Sequence, residues 1–186
     1  MSTRDRLSEE AARLFAERGY HGTSIADLAD ALGIRKSSVY SHIGGKEDLL
    51  AEIALAGADA FHAALDAIPG DLPAAERLER ALRAHLSVVD RQLDVATVWL
   101  QEWRFLAGAP RERFVAERRR YEQRIRALMQ EAVRSGELRD DLDVEQATLA
   151  LLSLGNWAYT WMRRDTDVDA VASAFWGLLR DGMAPR

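Results

Sequence analysis

The 186-residue chain contains no cysteine. That excludes a disulfide framework, a thiolate nucleophile and a cysteine zinc site, and it makes a reducing cytoplasm the expected compartment. Prolines are only four, at 69, 73, 110 and 185, and they fall where helices are expected to start or stop. No stretch alternates apolar and polar residues with period two, so no strand is expected. The longest apolar-rich run, ATLALLSLGNWAYTWM (147–162), has 16 residues and carries Thr148, Ser153, Asn156 and Thr160. It is too short and too polar for a membrane span. The opening MSTRDRLSEEAARLF lacks the apolar core of a signal peptide, so export and membrane attachment are not expected.

Lysine is nearly absent. The only two, Lys36 and Lys46, lie in one short stretch, GIRKSSVYSHIGGKEDLL (33–50). The chain is acidic, with a formal net charge of −5. Residues 33–46 nevertheless hold Arg35, Lys36 and Lys46 and no acid. Binding to a polyanion needs only such a local positive footprint.

What is present is helix. With 48% hydrophobic and 30% charged residues, the chain has the composition of an ordinary globular protein that can bury a core. Leu7, Ala11, Leu14 and Phe15 share one helical face, ended by Gly19. Thr23 is placed to cap the next helix, with Asp27 in its first turn. Ile25, Leu28, Ala29 and Leu32 give that helix its apolar face, and Gly33 breaks it. A third short helix is expected over about 35–42, broken by Gly44-Gly45. Longer helices are expected from Lys46 to about 67, then over about 73–91, 93–107, 110–135, 143–163 and 167–183. The class is all-α: an N-terminal three-helix unit over 1–46 and a larger helical bundle over 47–186.

Two short helices joined through Gly33 make a helix-turn-helix pattern, whose second helix enters the DNA major groove. Lys36 can reach a phosphate or a guanine edge. Ser37, Ser38 and Ser41 allow close approach and bond phosphates or bases. Tyr40 and His42 are large polar-tipped rings, and Lys46 opens the next helix. The competing reading is a solvated basic turn.

AARLFAERGYHGTSIADLADALGIRKSSVYSHIGGKEDLL (11–50) resembles the DNA-binding domain of the tetracycline-repressor (TetR) family. Ala12, Phe15, Gly19-Tyr20, Thr23-Ser24-Ile25, Leu28-Ala29, Gly33-Ile34, Tyr40, His42 and Lys46-Glu47 occur in the family's order. The resemblance implies that Thr23 and Ser24 bond phosphates and that Lys36, Ser37, Ser38 and His42 face the groove. It implies that Tyr40 and Lys46 hold backbone phosphates. Arg35 stands where a capping serine is usual and adds a base or phosphate contact. Ile43 replaces a usual Phe and Gly44 a usual Pro, which leaves the exit from the recognition helix less rigid.

Four of the five tryptophans come as pairs four residues apart, Trp99 with Trp103 and Trp157 with Trp161. On continuous helices each pair shares a face: either core packing or the aromatic wall of a pocket. The run RERFVAERRRYEQRIR (111–126) is rich in arginine. It is either a solvated face paired with Glu112, Glu117 and Glu122, or a phosphate-binding rim. EWRFL (102–106), RRRYE (118–122), GELRDDLD (136–143) and NWAYTWMR (156–163) resemble the ligand domain of acyl-CoA-responsive TetR regulators. By that resemblance an acyl-CoA thioester is the expected effector. Trp99, Trp103, Arg104, Arg118, Tyr121, Asn156, Trp157 and Trp161 are then the expected ligand residues. After Trp161 the sequence departs from the pattern, reading MRRDTD where a Pro- and Gly-containing turn is usual. Within the same class, a hydrophobic drug-like effector controlling an efflux pump is the alternative.

Val168, Val171, Ala172, Phe175, Leu178 and Leu179 form a stripe at helical spacing, and the preceding helix is apolar nearly all round. Packing of these two helices against a second copy is expected to give a homodimer with a four-helix interface, with Leu152, Val171, Phe175, Leu178 and Leu179 in it. Such a two-fold dimer reads double-stranded operator DNA as a rough palindrome. The four histidines, His21, His42, His62 and His85, form no metal pair at i, i+4, and no nucleophile motif is present. No enzymatic activity, catalytic residue, metal or cofactor is expected.

Overall fold

A computed structural model describes residues 2–163 and 165–185. Among them every regular element is helical: α1 (Thr3–Arg18), α2 (Ile25–Leu32), α3 (Lys36–Tyr40), α4 (Lys46–Asp66), α5 (Ala74–Arg91), α6 (Leu93–Leu100), α7 (Gly108–Arg134), α8 (Val144–Asn156) and α9 (Val168–Met183), with short 3-10 turns at Glu102–Phe105 and Ala158–Thr160. No described helix is long and apolar enough to cross a membrane.

The chain forms two compact units. The first comprises residues 1–59 and 92–117, the second 60–91 and 118–186. In the first unit α6 packs with α1.

Local chemistry explains the first unit's elements. Ser2 and Asp5 form a reciprocal capping box at the start of α1, and Ser24 and Asp27 form another at α2, each satisfying two backbone donors that a helix start leaves over. The cap of α2 is therefore Ser24, one residue beyond the expected Thr23. Gly33 ends α2 in the left-handed conformation (φ 65°), which a glycine adopts without a Cβ penalty. Leu7, Leu14, Phe15, Leu28, Val39, Leu49, Leu50 and Ile53 are fully buried, each worth about 1.5–3 kcal/mol of apolar burial. At Gly57 a Cβ would lie 2.8 Å from the Cβ of Trp99, so this glycine is what lets the indole seat against α4.

In the second unit α5 packs against α8 and α9 around Phe61, Leu78, Leu82, Leu86, Ile125 and Met129. The backbone N–H groups of Ala74 and Ala75 donate to Glu137 at 3.1 and 2.9 Å, so a carboxylate from the 135–143 turn caps α5. Arg83 ties α5 to α9 through Asp169 (2.5 Å), and Arg126 ties α7 to α8 through Glu145 (2.9 Å).

Two expected helices are shorter than their patterns. The run 93–107 ends as α-helix at Leu100, and the run 143–163 at Asn156. In the latter the Thr160 hydroxyl donates to the Trp157 carbonyl at 2.7 Å, and the N–H groups of Trp161 and Met162 both donate to the carbonyl of Ala158. This tightened turn removes the i, i+4 relation expected for Trp157 and Trp161. The 3-10 turn at 102–105 also interrupts the helix between Trp99 and Trp103, yet both rings reach Phe114.

Candidate nucleic-acid interface and effector site

Recognition helix α3 is five residues long and anchored from within by Val39, which is fully buried. Around that one apolar contact Arg35, Lys36, Ser37, Tyr40, Ser41 and His42 are exposed and Ser38 is half-buried. The Ser41 hydroxyl donates to the carbonyl of Ser38 at 2.7 Å. The segment thus offers hydroxyls, two polar-tipped rings and two cations with no acid among them. Ser24 is also exposed, at the N-terminus of α2.

Two expected phosphate contacts are spent inside the fold. The Thr23 side chain is buried, and its hydroxyl lies 3.2 Å from the Leu14 carbonyl and 3.1 Å from that of Gly19. It braces the α1–α2 turn and does not reach solvent. The Lys46 ammonium donates to the carbonyls of Tyr20 (2.8 Å) and Thr23 (2.9 Å), and lies 4.1 Å from the Tyr20 ring centroid. Lys46 therefore ties down carbonyls of the α1–α2 turn, using two of its three N–H donors there. The Tyr20 hydroxyl donates to Glu47 at 2.8 Å. Burial and that carboxylate push the phenol's pKa up, while backbone and Tyr20 hydrogen bonds hold the Glu47 carboxyl below its usual range.

Residues that the sequence pattern did not single out complete this unit. Arg4 donates to the carbonyl of His42 and to Glu52. Glu102, buried, accepts from the backbone N–H of Tyr20 at 2.7 Å. Phe105 stacks on Tyr20 (centroids 5.8 Å) and meets His21 edge-on (4.4 Å). All join residues far apart in the chain, and no local spacing marks them.

Of the expected effector residues, Trp99, Trp103 and Arg104 belong to the first unit, and Arg118, Tyr121, Asn156, Trp157 and Trp161 to the second. Trp99 is buried, and both Trp99 and Trp103 pack on Phe114, at 6.3 and 5.3 Å between centroids. Arg104 donates to the Gln101 carbonyl at 2.8 Å. In the second unit Tyr121 is buried with Phe61, His62 and His85. Nδ1 of His85 lies 3.1 Å from the Tyr121 hydroxyl. Burial lowers the His85 pKa to about 3, so the ring is neutral at physiological pH, and burial also lowers that of the Arg118 guanidinium. Arg124 donates to Asp66 at 2.6 Å and lies 3.2 Å from Nδ1 of His62. Of the arginine run, then, Arg124 and Arg126 are ion-paired to carboxylates of the fold. A groove of about 250 Å³ lies beside Arg124, floored by Leu65, Ile68 and Leu128.

Trp157 is 64% exposed and Trp161 39%. Trp161 meets Phe175 of α9 edge-on at 6.0 Å. Leu178 is 75% exposed, Val171, Phe175 and Leu179 are half-buried, and Leu152 is already buried within its own unit, which leaves it little surface for a partner.

A helix-turn-helix unit with an acid-free polar helix, joined to an all-helical second unit, defines the class of DNA-binding bacterial regulators. The chain belongs to the TetR family. Residues 7–53 match the model of bacterial regulatory proteins of the tetR family, and residues 71–183 match the tetracyclin repressor-like C-terminal domain. The family is one of transcriptional regulators, which are not enzymes. The chain is 30% identical to the transcriptional repressor KstR2 of Rhodococcus jostii, over 97% of this chain and 91% of that one. The structure of PfmR from Thermus thermophilus is similar with a TM-score of 0.87 and 36% identity, covering 95% of this chain and 98% of that one. That of AibR in complex with isovaleryl coenzyme A and operator DNA is similar at 0.85 and 27%, covering 95% and 97%.

Proposed function

We propose that the chain is a cytoplasmic, homodimeric transcriptional repressor that binds a palindromic operator and is released by an acyl-CoA thioester. The observation that carries this reading is the full-length similarity to AibR, a protein whose structure is described with both isovaleryl coenzyme A and operator DNA. The geometry supports each part. Polar α3, with Arg35, Lys36, Ser37, Ser38, Tyr40 and His42, is the groove-reading element, and Ser24 is a phosphate contact. The apolar side chains left exposed on Trp157, Trp161 and Leu178 suit a second copy packed on α8 and α9. Buried Tyr121 and His85, with half-buried Arg118, set polar groups beside the apolar core of the second unit, the composition a ligand with an oily chain and a polar thioester requires. The effector acts by binding one spacing of the two recognition helices better than the other.

Fluorescence anisotropy on operator DNA selected by the protein tests this, with acyl-CoA thioesters of graded chain length titrated in. Release by a thioester, and not by coenzyme A or the matching free acid, is the expected result. Salt-dependent binding that no thioester disturbs would overturn the effector and leave the regulator.

A further inference from the structure

The weak point of the DNA-binding unit is the far end of its recognition helix. Five-residue α3 has no side-chain cap at Arg35, and it runs out into Gly44-Gly45. Adjacent glycines leave a backbone free to reorient. The residues that close this exit come from other helices. Arg4, in the first turn of α1, donates from Nη1 to the carbonyl of His42 at 3.0 Å. Its Nε and Nη2 both donate to Oε2 of Glu52 on α4, at 3.2 and 2.8 Å. Asp48 accepts from the Gly44 N–H at 2.8 Å. One guanidinium thus joins α1, the end of α3 and α4. A planar fork of five donors suits such a three-way junction, where an ammonium does not.

We propose that Arg4 is a positioning residue for DNA recognition: oriented by Glu52, it holds the His42 carbonyl and so fixes the exit of α3 for entry into the major groove. The proposal rests on the reading of the chain as a DNA-binding dimer. Arg4 and Glu52 are 52% and 37% exposed, so the pair adds little to global stability. Its effect lies in the fraction of α3 held in the binding orientation. If losing the clamp reduces that fraction to about a third in each protomer, a two-site operator is bound about ninefold more weakly.

The rival roles are an idle surface pair and a direct phosphate contact by Arg4, and the sign of the Glu52 effect separates them. Removing an acid from a DNA-binding face strengthens electrostatic attraction. Losing the clamp weakens binding in spite of that. Operator DNA is first selected from a random library with the wild-type chain. Arg4→Met, Glu52→Ala and the double variant are then titrated onto it across a salt series, beside DNA of unrelated sequence. The clamp predicts that both single variants bind the selected DNA roughly five- to tenfold more weakly, and that the double variant is no worse than the weaker single one. Affinity for unrelated DNA does not fall with Glu52→Ala, and the salt slope and the thermal midpoint stay near wild type. Amide exchange rises in α3 and not in α1. Wild-type or tighter binding by Glu52→Ala overturns the proposal. A fall in the Arg4→Met salt slope of about 0.9 per protomer marks a phosphate contact and overturns it too. If the wild-type chain enriches no sequence at all, the DNA-binding reading fails, and the clamp with it.

Discussion

The carboxylate of Glu102 accepts a hydrogen bond from the backbone N–H of Tyr20 at 2.7 Å, across 82 residues of sequence. Glu102 is buried, in the 3-10 turn that follows α6. Tyr20 follows Gly19, where α1 ends. The same tyrosine donates its hydroxyl to Glu47, and its carbonyl accepts from Lys46. One residue in the α1–α2 turn therefore receives the turn after α6 on one side and the start of α4 on the other. This is why residues 92–117 pack with the N-terminal helices. Replacing Glu102 by Ala strands a buried N–H and opens a void. We expect a loss of about 2–3 kcal/mol in urea unfolding. Glu102→Gln keeps an acceptor and should lose less than half of that. Equal losses would mean that the charge, and not the hydrogen bond, is what Tyr20 requires.

Lys36 and Lys46 separate by function. Lys36 is exposed on α3. Lys46 is turned inward onto two carbonyls. In a salt titration of operator binding, Lys36→Ala should lower the slope by about 0.9 for each phosphate that Lys36 neutralises, with unchanged thermal stability. Lys46→Ala should leave the slope near wild type and lower the thermal midpoint, because the carbonyls of Tyr20 and Thr23 lose the ammonium's hydrogen bonds. The reverse pattern would show that Lys46 leaves the turn to reach DNA.

Burial of His85 makes stability depend on pH in a stated direction. Its native pKa is about 3 against 6.5 for the free side chain. The unfolded chain therefore takes up a proton as pH falls through 6.5 and the native chain does not. Stability from this group is full above 6.5 and is lost as pH falls toward about 3. The slope approaches about 1.4 kcal/mol per pH unit. The carboxylates of Asp5, Asp27, Glu47 and Glu137 are all held below their usual range, so they lose stability only in stronger acid. Urea midpoints between pH 6.5 and 5 should therefore fall in the wild-type chain and stay flatter in His85→Phe. Parallel curves would show that the ring titrates in the folded state.

The helices and their breaks are legible in the sequence wherever the cause is local. Gly33 ends α2 by its own backbone freedom, and Val39 holds α3 by apolar spacing. The cap of α2 is displaced by one residue, from Thr23 to Ser24, because the two adjacent hydroxyl side chains are equally able to cap. The pairs Trp99–Trp103 and Trp157–Trp161 are only partly legible, for a different reason. Apolar period predicts a continuous helix, and it carries no mark of the 3-10 turns that interrupt both. Arg4–Glu52 and Tyr20–Glu102 lie beyond sequence reading altogether. Each joins elements distant in the chain, and a side chain's partner across the fold leaves no trace in its neighbours.

The proposed dimer face makes the last prediction. Leu178 is 75% exposed and Trp157 64%, and large apolar side chains so placed are covered in a stable assembly. Leu178→Glu places a charge where two copies of α9 would meet, and a carboxylate desolvated without a partner is strongly disfavoured. We expect a monomer by light scattering, with operator affinity lost to the level of unrelated DNA, because one recognition helix reads only one half-site. Trp157→Ala should weaken the dimer by roughly tenfold or more, the range of a truncated interface anchor. If Trp157→Ala leaves the dimer intact and only the thioester response falls, Trp157 belongs to the effector site, as its sequence pattern implies. If Leu178→Glu remains dimeric, α9 is not the interface, and its exposed leucine awaits a partner other than a second copy of this chain.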